Sequence, residues 1–325
     1  MAIAGYIFAR IIKALLVLIA IAVLNFVLIH LAPGDPAAVM AGEAGAADEI
    51  FIQQLREKFG LDLPYHVQLG RYLAGILQFD LGFSYRQEMP VATLILDRLP
   101  ATLLLTGTAF VISILLGVLL GALAAVRVGR WADSVITTLA LIFYATPLFW
   151  IALMAILLFS VQLGWLPAYG IETVGANYTG WAKVLDIAQH LVLPAATLGL
   201  FFMAVYARMT RASMLETAGQ DFVKTARAKG LAEGPILRRH ILRNAILPVV
   251  TLAGLQAGQI VGGAVLTETV FAWPGIGRLM FDALLQRDYN LLLGVFLVSS
   301  ALVLIFNLIT DLLYLVVDPR ITLAK

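Results

Sequence analysis

Six long stretches without a charged side chain constrain this sequence more than any other feature. Each stretch holds at least 21 residues. They occupy residues 14–34, 99–126, 134–171, 187–207, 244–267 and 289–310. The hydrocarbon core of a bilayer is about 30 Å thick, and a helix of about 20 apolar residues crosses it. The sequence therefore predicts an all-α membrane protein with six transmembrane helices.

The composition supports the same fold class. Of the 325 residues, 61% are hydrophobic and 13% are charged, whereas soluble domains have about 45–50% apolar and about 25% charged residues. The chain has no cysteine, so it offers neither disulfides nor thiolate chemistry. Disordered, collagen-like and disulfide-rich secreted proteins are therefore excluded.

The ends of the apolar runs indicate where the membrane helices begin and end. In the longest stretch, Gly164 to Pro167 end the apolar run, which favours one long helix over two short ones. The first run is too long for a secretory signal, and a proline-containing turn follows it instead of a cleavage site. We expect membrane helices at 1–32, 101–126, 134–162, 188–210, 245–267 and 290–316.

The segment 33–99 is the largest polar piece between predicted spans. We expect short helices at 48–59 and 64–77 and a turn-rich stretch at 80–85. About 65 residues can form a small cap but hardly an independent core. The predicted regions are the first helix at 1–32, the helical insertion at 33–99, the core at 100–318 with the loop 212–244, and the tail at 319–325.

The distribution of basic residues indicates the orientation. With the N-terminus inside, the inner segments hold 14 lysines and arginines and the outer segments hold 8. Eight of the inner ones lie within 208–243. Basic residues accumulate in cytoplasmic loops, so both termini are predicted to be cytoplasmic.

Few ionisable side chains fall inside the predicted spans. His30 and His190 lie near span ends, where a hydrogen-bonded structural histidine is expected, and Asp311 lies one turn from Asn307. No series of acidic or basic residues follows the middle of the membrane. Proton- and sodium-driven carriers usually need such groups, so a secondary carrier is disfavoured.

Sequence motifs for catalysis and cofactor binding are missing. The chain has no phosphate-binding G-x-x-x-x-G-K-[ST] loop, no H-E-x-x-H zinc motif and no G-x-S-x-G nucleophile motif. Four scattered histidines make a metal site improbable. We therefore expect no catalytic residue and no metal ligand in this chain.

The fifth predicted span contains a repeated small-residue pattern. Gly254, Gly258 and Gly262 fall on one helix face and could pack closely against another helix. Gln256 and Gln259 point away from that face and are candidate path-lining residues in a permease. Ordinary helix packing is the alternative interpretation of the glycines.

The fourth loop contains a short predicted helix, residues 222–229, with Asp221 as N-cap and Gly230 as its end. A second helix is expected to begin at Pro235 and to run towards the membrane. A short exposed helix of this kind could insert into a groove of another protein. It could equally lie on anionic lipid as a basic amphipathic helix.

Several motifs at consistent positions identify a family. The long ones are D-F-V-K-T-A-R-A-K-G-L at 221–231, R-H-I-L-R-N-A at 239–245 and E-T-V-F-A-W-P-G-I-G-R-L at 268–279. Shorter ones occur at 31–36, 58–65, 80–84, 98–102 and 318–320. Together they extend over essentially the whole chain. The sequence resembles the peptide/nickel-type ABC importer permeases, most of all the first (B-type) dipeptide/oligopeptide permease subunit.

The resemblance implies a type I ABC importer permease fold in the bacterial cytoplasmic (inner) membrane. It implies a second homologous permease subunit, two ABC ATPase subunits and a periplasmic or lipid-anchored solute-binding protein, with lipid around the chain and no nucleic acid. ATP and Mg would be bound by the ATPases, so this chain would be a transport subunit without cofactor. The loop helix would be the coupling helix. Its ATPase-coupling residues would be Ala226, Arg227, Ala228, Lys229, Gly230 and Leu231.

One position departs from the general importer pattern. Alignment on Gly230 places Lys224 where a glutamate is expected and Thr225 where the first alanine is expected. A glutamate-mediated contact is therefore not predicted here. Dipeptides or oligopeptides are the expected solute, with nickel chelates, glutathione or another small solute as alternatives. A stand-alone secondary carrier and an intramembrane hydrolase remain as functions outside this class.

Overall fold

The computed structural model describes residues 2–31, 36–43, 48–59 and 62–317, and these ranges are almost entirely helical. The predicted all-α fold class is confirmed. The chain forms two compact units. The first unit consists of Met1–Pro100 and Gly275–Leu308, and the second of Ala101–Pro274 and Ile309–Lys325.

Thirteen α-helices follow one another in the described residues. They are α1 (Ala2–Leu31), α2 (Pro36–Glu43), α3 (Glu49–Phe59), α4 (Tyr65–Leu77), α5 (Val91–Val126), α6 (Trp131–Ala145), α7 (Leu148–Ala155), α8 (Gly180–Ala218), α9 (Asp221–Ala228), α10 (Glu233–Pro235), α11 (Arg243–Val270), α12 (Ile276–Gln286) and α13 (Tyr289–Val317). The π-helical segments Ile156–Gln162 and Ile236–Leu242 continue α7 and α10. The strands β1 (Phe83–Ser84) and β2 (Met89–Pro90) form an antiparallel hairpin.

The number of apolar helices agrees with the six predicted spans. Among the described residues, five helices are long and apolar enough to cross a membrane. They are α1, α5, α8, α13 and the run Glu233–Gln259, which leads into α11. The bent pair of α6 and Leu148–Gln162 makes a sixth if it is one span.

The third predicted span is broken. The sequence predicts one helix at 134–162, but the structure bends it by 106° between α6 and α7. Pro147 has no amide hydrogen, and a proline disfavours helical backbone at the residue before it. Thr146 has φ −84° and ψ 134°, which is an extended conformation. The span predicted at 134–162 is therefore sharply bent at Pro147, as a proline inside a membrane segment leads one to expect.

Two further helices extend beyond their predicted bounds. The sequence predicts 101–126 and 188–210, whereas α5 is Val91–Val126 and α8 is Gly180–Ala218. A helix of 39 residues, such as α8, is about 58 Å long, nearly twice the thickness of the hydrocarbon core. Helical hydrogen bonding thus continues past the last apolar residue, which hydropathy alone does not reveal.

The first unit is built around an apolar cluster from α5, α12 and α13. Val91, Ile95, Leu291 and Val295 are among its fully buried members. The β-hairpin is tied to α13 because Asn290 Nδ2 donates to the Phe83 carbonyl oxygen at 3.1 Å. Helices α3 and α4 occupy the positions predicted for them, whereas α2, the hairpin and α12 were not expected.

His30 joins α1 to α4 in the first unit. Its Nε2 lies 3.0 Å from Gln68 Oε1, and its Nδ1 lies 2.8 Å from the Phe26 carbonyl oxygen. Gln68 Nε2 in turn donates to the Leu63 carbonyl oxygen at 2.7 Å. His30 is therefore a hydrogen-bonded structural residue, as the sequence predicts.

Helix α8 is the central helix of the second unit. It packs against α6, α7 and α11 and meets α5 at two glycines. A Cβ atom at Gly117 would lie 3.1 Å from the Met203 carbonyl oxygen, and one at Gly121 would lie 2.7 Å from Thr210 Cβ. Gly117 and Gly121 form a G-x-x-x-G pattern, which lets two helix backbones approach closely.

An ion pair joins α6 to α8. Asp133 accepts hydrogen bonds from Arg211 Nε at 2.6 Å and Nη2 at 2.8 Å, and from the Gly129 amide at 3.0 Å. The Asp133 side chain is 8% exposed and that of Arg211 is 31% exposed. A bidentate pair with so little solvent around the carboxylate fixes the start of α6 against α8.

The residues at 267–273 are held inside the second unit. Thr102 Oγ1 donates to the fully buried Glu268 Oε1 at 2.7 Å. Trp273 is also fully buried, and its Nε1 donates to the Ala101 carbonyl oxygen at 2.8 Å. This part of the 268–279 motif therefore fixes the end of α11 to the residues of α5 that follow Pro100.

Because α5 touches α8 closely at some positions only, the stability cost of a larger side chain on α5 should depend strongly on its position. Gly121→Val should destabilise the fold by about 2–3 kcal/mol, because its Cβ would overlap the Ala207 carbonyl oxygen and crowd Thr210. Gly107→Val on the same helix meets no atom within 4 Å and should be close to neutral. Thermal unfolding of the two purified variants in detergent measures the difference; equal losses would contradict the close packing.

The Asp133–Arg211 pair predicts a second difference in stability. Asp133→Asn keeps the shape but leaves Arg211, whose side chain is 31% exposed, without its charged partner, at a cost of about 1–2 kcal/mol. Asp221 pairs with Lys224 at 2.9 Å, but its side chain is 95% exposed, so Asp221→Asn should cost less than about 0.5 kcal/mol. The same unfolding measurement compares the two substitutions, and a similar cost for both would show that the α6–α8 pair contributes little.

Candidate functional site

The loop helix α9 has well-defined ends. Asp221 is its first helical residue and stabilises the positive end of the helix dipole, while Gln220 takes the N-cap position predicted for Asp221. At the other end Gly230 has φ 78°, a left-handed conformation that favours glycine. The Gly230 amide donates to the Arg227 carbonyl oxygen and the Leu231 amide to that of Ala226. These two bonds are those of a Schellman motif, which ends the helix sharply.

One face of α9 is buried within the chain. Val223 is fully buried and Ala226 is 5% exposed. They belong to one apolar cluster with Ala125 at the end of α5, Met214 in α8, and the segment that leads into α11. That segment contributes Ile236, Ile241 and Ala245. The loop helix is therefore packed against the ends of three long helices.

The other face of α9 is open. Phe222 is 44% exposed and Leu231 is 45% exposed, unusual for apolar residues in a polar loop. Thr225, Ala228 and Lys229 are exposed as well. The exposed surface thus combines apolar and basic side chains on a rigid helix, a composition suited to a protein groove or to a lipid surface.

Two of the predicted coupling residues do not have free side chains. Ala226 packs against its own chain, so its side chain does not belong to the exposed face on which a coupling contact would form. Arg227 Nε donates to Glu233 Oε1 at 2.9 Å, and this hydrogen bond together with the carboxylate charge raises the pKa of Arg227. The pair ties α9 to α10. Ala228, Lys229, Gly230 and Leu231 are exposed.

The glycine pattern of the fifth span is only partly a packing surface of this chain. At Gly254 a Cβ atom would overlap Thr310 Cγ2, and Thr310 Oγ1 donates to the Gly254 carbonyl oxygen at 3.1 Å. Gly258 is buried, whereas Gly262 is exposed and no atom lies within 4 Å of the Cβ position. Within the described residues, Gly254 therefore packs closely against α13, whereas Gly262 has no close neighbour in this chain.

The two glutamines of the fifth span differ in their surroundings. Gln259 is exposed. Gln256 is half-buried, and in the described part of the chain its enclosed Oε1 has no hydrogen-bond partner. A buried amide oxygen without a partner requires water or a ligand group nearby, which fits a position beside a hydrated path.

Sequence reasoning missed two features of this region. The G-x-x-x-G pattern at Gly117 and Gly121 was present in the sequence but was not used. The contact between Arg208 and Tyr144 had no sequence signal, because it joins two helices that are far apart along the chain; Arg208 Cζ lies 4.6 Å from the centre of the Tyr144 ring. Within the described ranges, no group of three or more His, Cys, Asp or Glu side chains is placed to hold a metal ion.

Two family comparisons cover nearly the whole chain. Residues 117–323 match the family described as "Binding-protein-dependent transport system inner membrane component". Residues 3–106 match the corresponding N-terminal family of such membrane components.

Similar proteins are known from several bacteria. The chain is 40% identical to the dipeptide transport system permease protein DppB of Alkalihalophilus pseudofirmus, over 98% of this chain and 99% of that protein. It is 40% identical to the oligopeptide transport system permease protein AppB of Bacillus subtilis, over 98% and 99%. It is 41% identical to DppB of Escherichia coli K12, over 94% and 95%.

Solved structures share the fold at lower identity. An inward-facing form of the MetNI methionine ABC transporter aligns with a TM-score of 0.55 and 19% identity, over 69% of this chain and 96% of that one. An amino acid ABC transporter aligns with a TM-score of 0.51 and 17% identity, over 68% and 92%. At this identity the likeness concerns the fold, which is that of type I ABC importer permeases. The chain belongs to the family of inner-membrane components of binding-protein-dependent transport systems.

Proposed function

We propose that this chain is the permease subunit of an ABC importer for dipeptides or oligopeptides. Near-full-length identity of about 40% to dipeptide and oligopeptide permeases supports the solute class. Helix α9 has one face buried in the chain and the other face exposed, and this observation supports its coupling to an ATPase subunit. Nickel chelates, glutathione and other small solutes remain the alternative cargo.

The packing of α9 suggests how motion would pass into the membrane. Val223 and Ala226 touch a cluster that contains Met214 of α8 and Ala245 of α11. Both of those helices are long enough to span a bilayer. Because packed apolar interiors transmit displacement rather than absorbing it, a push on the exposed face of α9 would shift the ends of both helices together.

The remaining subunits follow from this role. Two ATPases would bind ATP and Mg and seat one coupling helix each, and a second permease would complete the path. A periplasmic or lipid-anchored protein would deliver the solute. The loop with eight basic residues would face the cytoplasm together with both termini. In this arrangement the chain performs transport and no chemistry of its own.

The hydrated path would run along the fifth span. Gln259 and the unpaired amide oxygen of Gln256 offer polar groups to a peptide backbone or to water. The exposed Gly262 leaves room for a second permease or for the solute. Both glutamines therefore keep the path-lining role proposed for them.

A bulky residue at the end of α9 should separate ATP hydrolysis from uptake. Gly230→Trp should lower peptide uptake at least about tenfold, because the side chain would occupy the ATPase contact, while leaving the protein in the membrane. Gly129→Trp is the matched control: Gly129 has φ 74°, and, as at Gly230, no atom lies within 4 Å of the Cβ position. It is expected to suffer the same backbone strain without the loss of coupling. Normal uptake by the Gly230 variant would refute the coupling role.

Crosslinking distinguishes an ATPase groove from a lipid surface. The chain has no cysteine, so a single Leu231→Cys or Thr225→Cys should crosslink to an ATPase subunit in the assembled complex with a short bifunctional thiol reagent. Val223→Cys, which is fully buried, is the control and should crosslink at most about one tenth as well, since its sulfur would be enclosed. Labelling of Leu231→Cys by a lipid-soluble reagent alone would assign α9 to the membrane surface.

A further inference from the structure

Arg208 is an arginine whose charge is not paired within the described residues. Its guanidinium lies on the ring of Tyr144, 4.6 Å from the centre, and the side chain is exposed. Arg211, almost one helical turn further along α8, forms the bidentate pair with Asp133. The charge of Arg211 is therefore balanced by a carboxylate, whereas among the described residues that of Arg208 is not.

Their two contacts place the two charges at different points along α6. Asp133 and Tyr144 lie on the same helix, α6, eleven residues apart. At 1.5 Å per residue, the backbone of Tyr144 is about 16 Å further along α6 than that of Asp133. The Arg211 guanidinium thus lies near the first turn of α6, and the Arg208 guanidinium lies near its last turn.

Arg208 lies inside the candidate membrane-spanning helix α8, and a positive charge in such a helix requires polar surroundings. Arginines in transmembrane helices face the protein interior or a water-filled cavity, because hydrocarbon does not solvate them. Asp133 is already occupied by Arg211, and among the described residues no other carboxylate reaches Arg208. The Arg208 head group therefore faces water or an incoming anion.

The broken helix beside Tyr144 points to the same place. Directly after Tyr144 the chain bends by 106° at Thr146 and Pro147. The Thr146 amide and its Oγ1 both donate to the Ile142 carbonyl oxygen, at 3.0 and 2.7 Å. Irregular backbone at membrane depth occurs only where protein covers it or where it borders a water-filled cavity. Ala145 and Pro147 are exposed in this chain.

Aromatic packing fixes the orientation of the tyrosine. The Tyr144 ring stacks on Phe201, with centroids 6.1 Å apart and an angle of 21°. Phe201 in turn meets Phe202 edge-on at 5.3 Å, and Phe202 is buried in the main core cluster of the second unit. An arginine that lies flat on such a ring keeps its N–H edge free to bind a carboxylate in a bidentate manner.

We propose that Arg208, positioned by Tyr144, is an anion-binding station on the translocation path that receives the carboxylate of the solute. The proposal rests on the proposed function for its ligand, which is the free C-terminal carboxylate of a peptide. The arginine inside a candidate span and the broken helix next to it carry the argument. Neither Arg208 nor Tyr144 belongs to the face of α9 that meets the ATPase.

Thiol labelling in the assembled complex tests the hydration and the charge of the site. A Tyr144→Cys chain should react with membrane-impermeant methanethiosulfonate reagents, whereas Ile142→Cys should not. Ile142 lies on the same helix at similar depth, 53% exposed and about 160° away around the axis. Equal and slow reaction at both positions would overturn the proposal.

The positive charge of Arg208 should make a nearby cysteine react faster with an anionic reagent than with a cationic one. In an Ala145→Cys chain, where Tyr144 is kept and the thiol is on an exposed neighbouring residue, the rate ratio of an anionic to a cationic reagent should fall by about fivefold when Arg208→Gln is added. Arg238→Gln, which removes an exposed loop arginine, should leave that ratio unchanged. An unchanged ratio with Arg208→Gln would show that the guanidinium does not act on the path.

Uptake measurements identify the ligand. Arg208→Gln should reduce uptake of a radiolabelled dipeptide by about tenfold with ATP hydrolysis intact, and Arg208→Lys and Tyr144→Phe should retain more of it. For the C-terminal amide of the same dipeptide, the variant-to-native ratio should stay near one. Because each ratio uses one substrate, discrimination by a binding protein cancels. Equal losses of uptake for both substrates would refute carboxylate binding. The labelling rates do not depend on coupling to ATP hydrolysis. They therefore distinguish a failure of the Arg208 proposal from a failure of the proposed transport function.

Discussion

The close approach of α8 to its neighbours is the interaction on which the second unit depends. In a bilayer the hydrophobic effect does not press helices together, so association relies on van der Waals contact and polar pairs between them. Gly117 and Gly121 allow the backbones of α5 and α8 to meet, and Asp133 pairs with Arg211 to join α6 to the same helix. Both contacts involve α8. They hold this helix in place and so restrict the positions of its other side chains.

Because α8 is tightly packed, it links two separate places in the structure: the cluster under α9 and the surroundings of Arg208. Its last turns contribute Met214 to the cluster under α9, and Arg208, less than two turns away, lies beside the break between α6 and α7. A rigid helix that moves as one body would carry a displacement of α9 directly to the surroundings of Arg208. If the proposed site binds a carboxylate, the same geometry would let occupancy at Arg208 influence α9, since coupling between two sites is reciprocal.

Hydropathy and motifs predict the broad structure but not its irregular parts. The six charge-free stretches and the end of α9 at Gly230 follow from length, apolar content and the demands of a left-handed residue, which are local properties. A kink at Pro147 is predicted by the proline, yet its angle depends on what α6 and α7 each pack against. The inward direction of Ala226 depends on which turn of α9 meets Met214 and Ala245, and no local pattern specifies that.

The contrast between Arg208 and Arg211 shows why counting charges along a sequence is incomplete. In a tally of loop residues both arginines mark the inner end of the fourth span, since each closes or follows a charge-free stretch. In the structure their long side chains extend in opposite directions, one to Asp133 near the start of α6 and one to Tyr144 near its end. An arginine that merely marked a membrane boundary would extend towards that boundary, where hydration is cheapest. Arg208 lies instead over a ring held by Phe201, which is the arrangement that the proposed binding role would use.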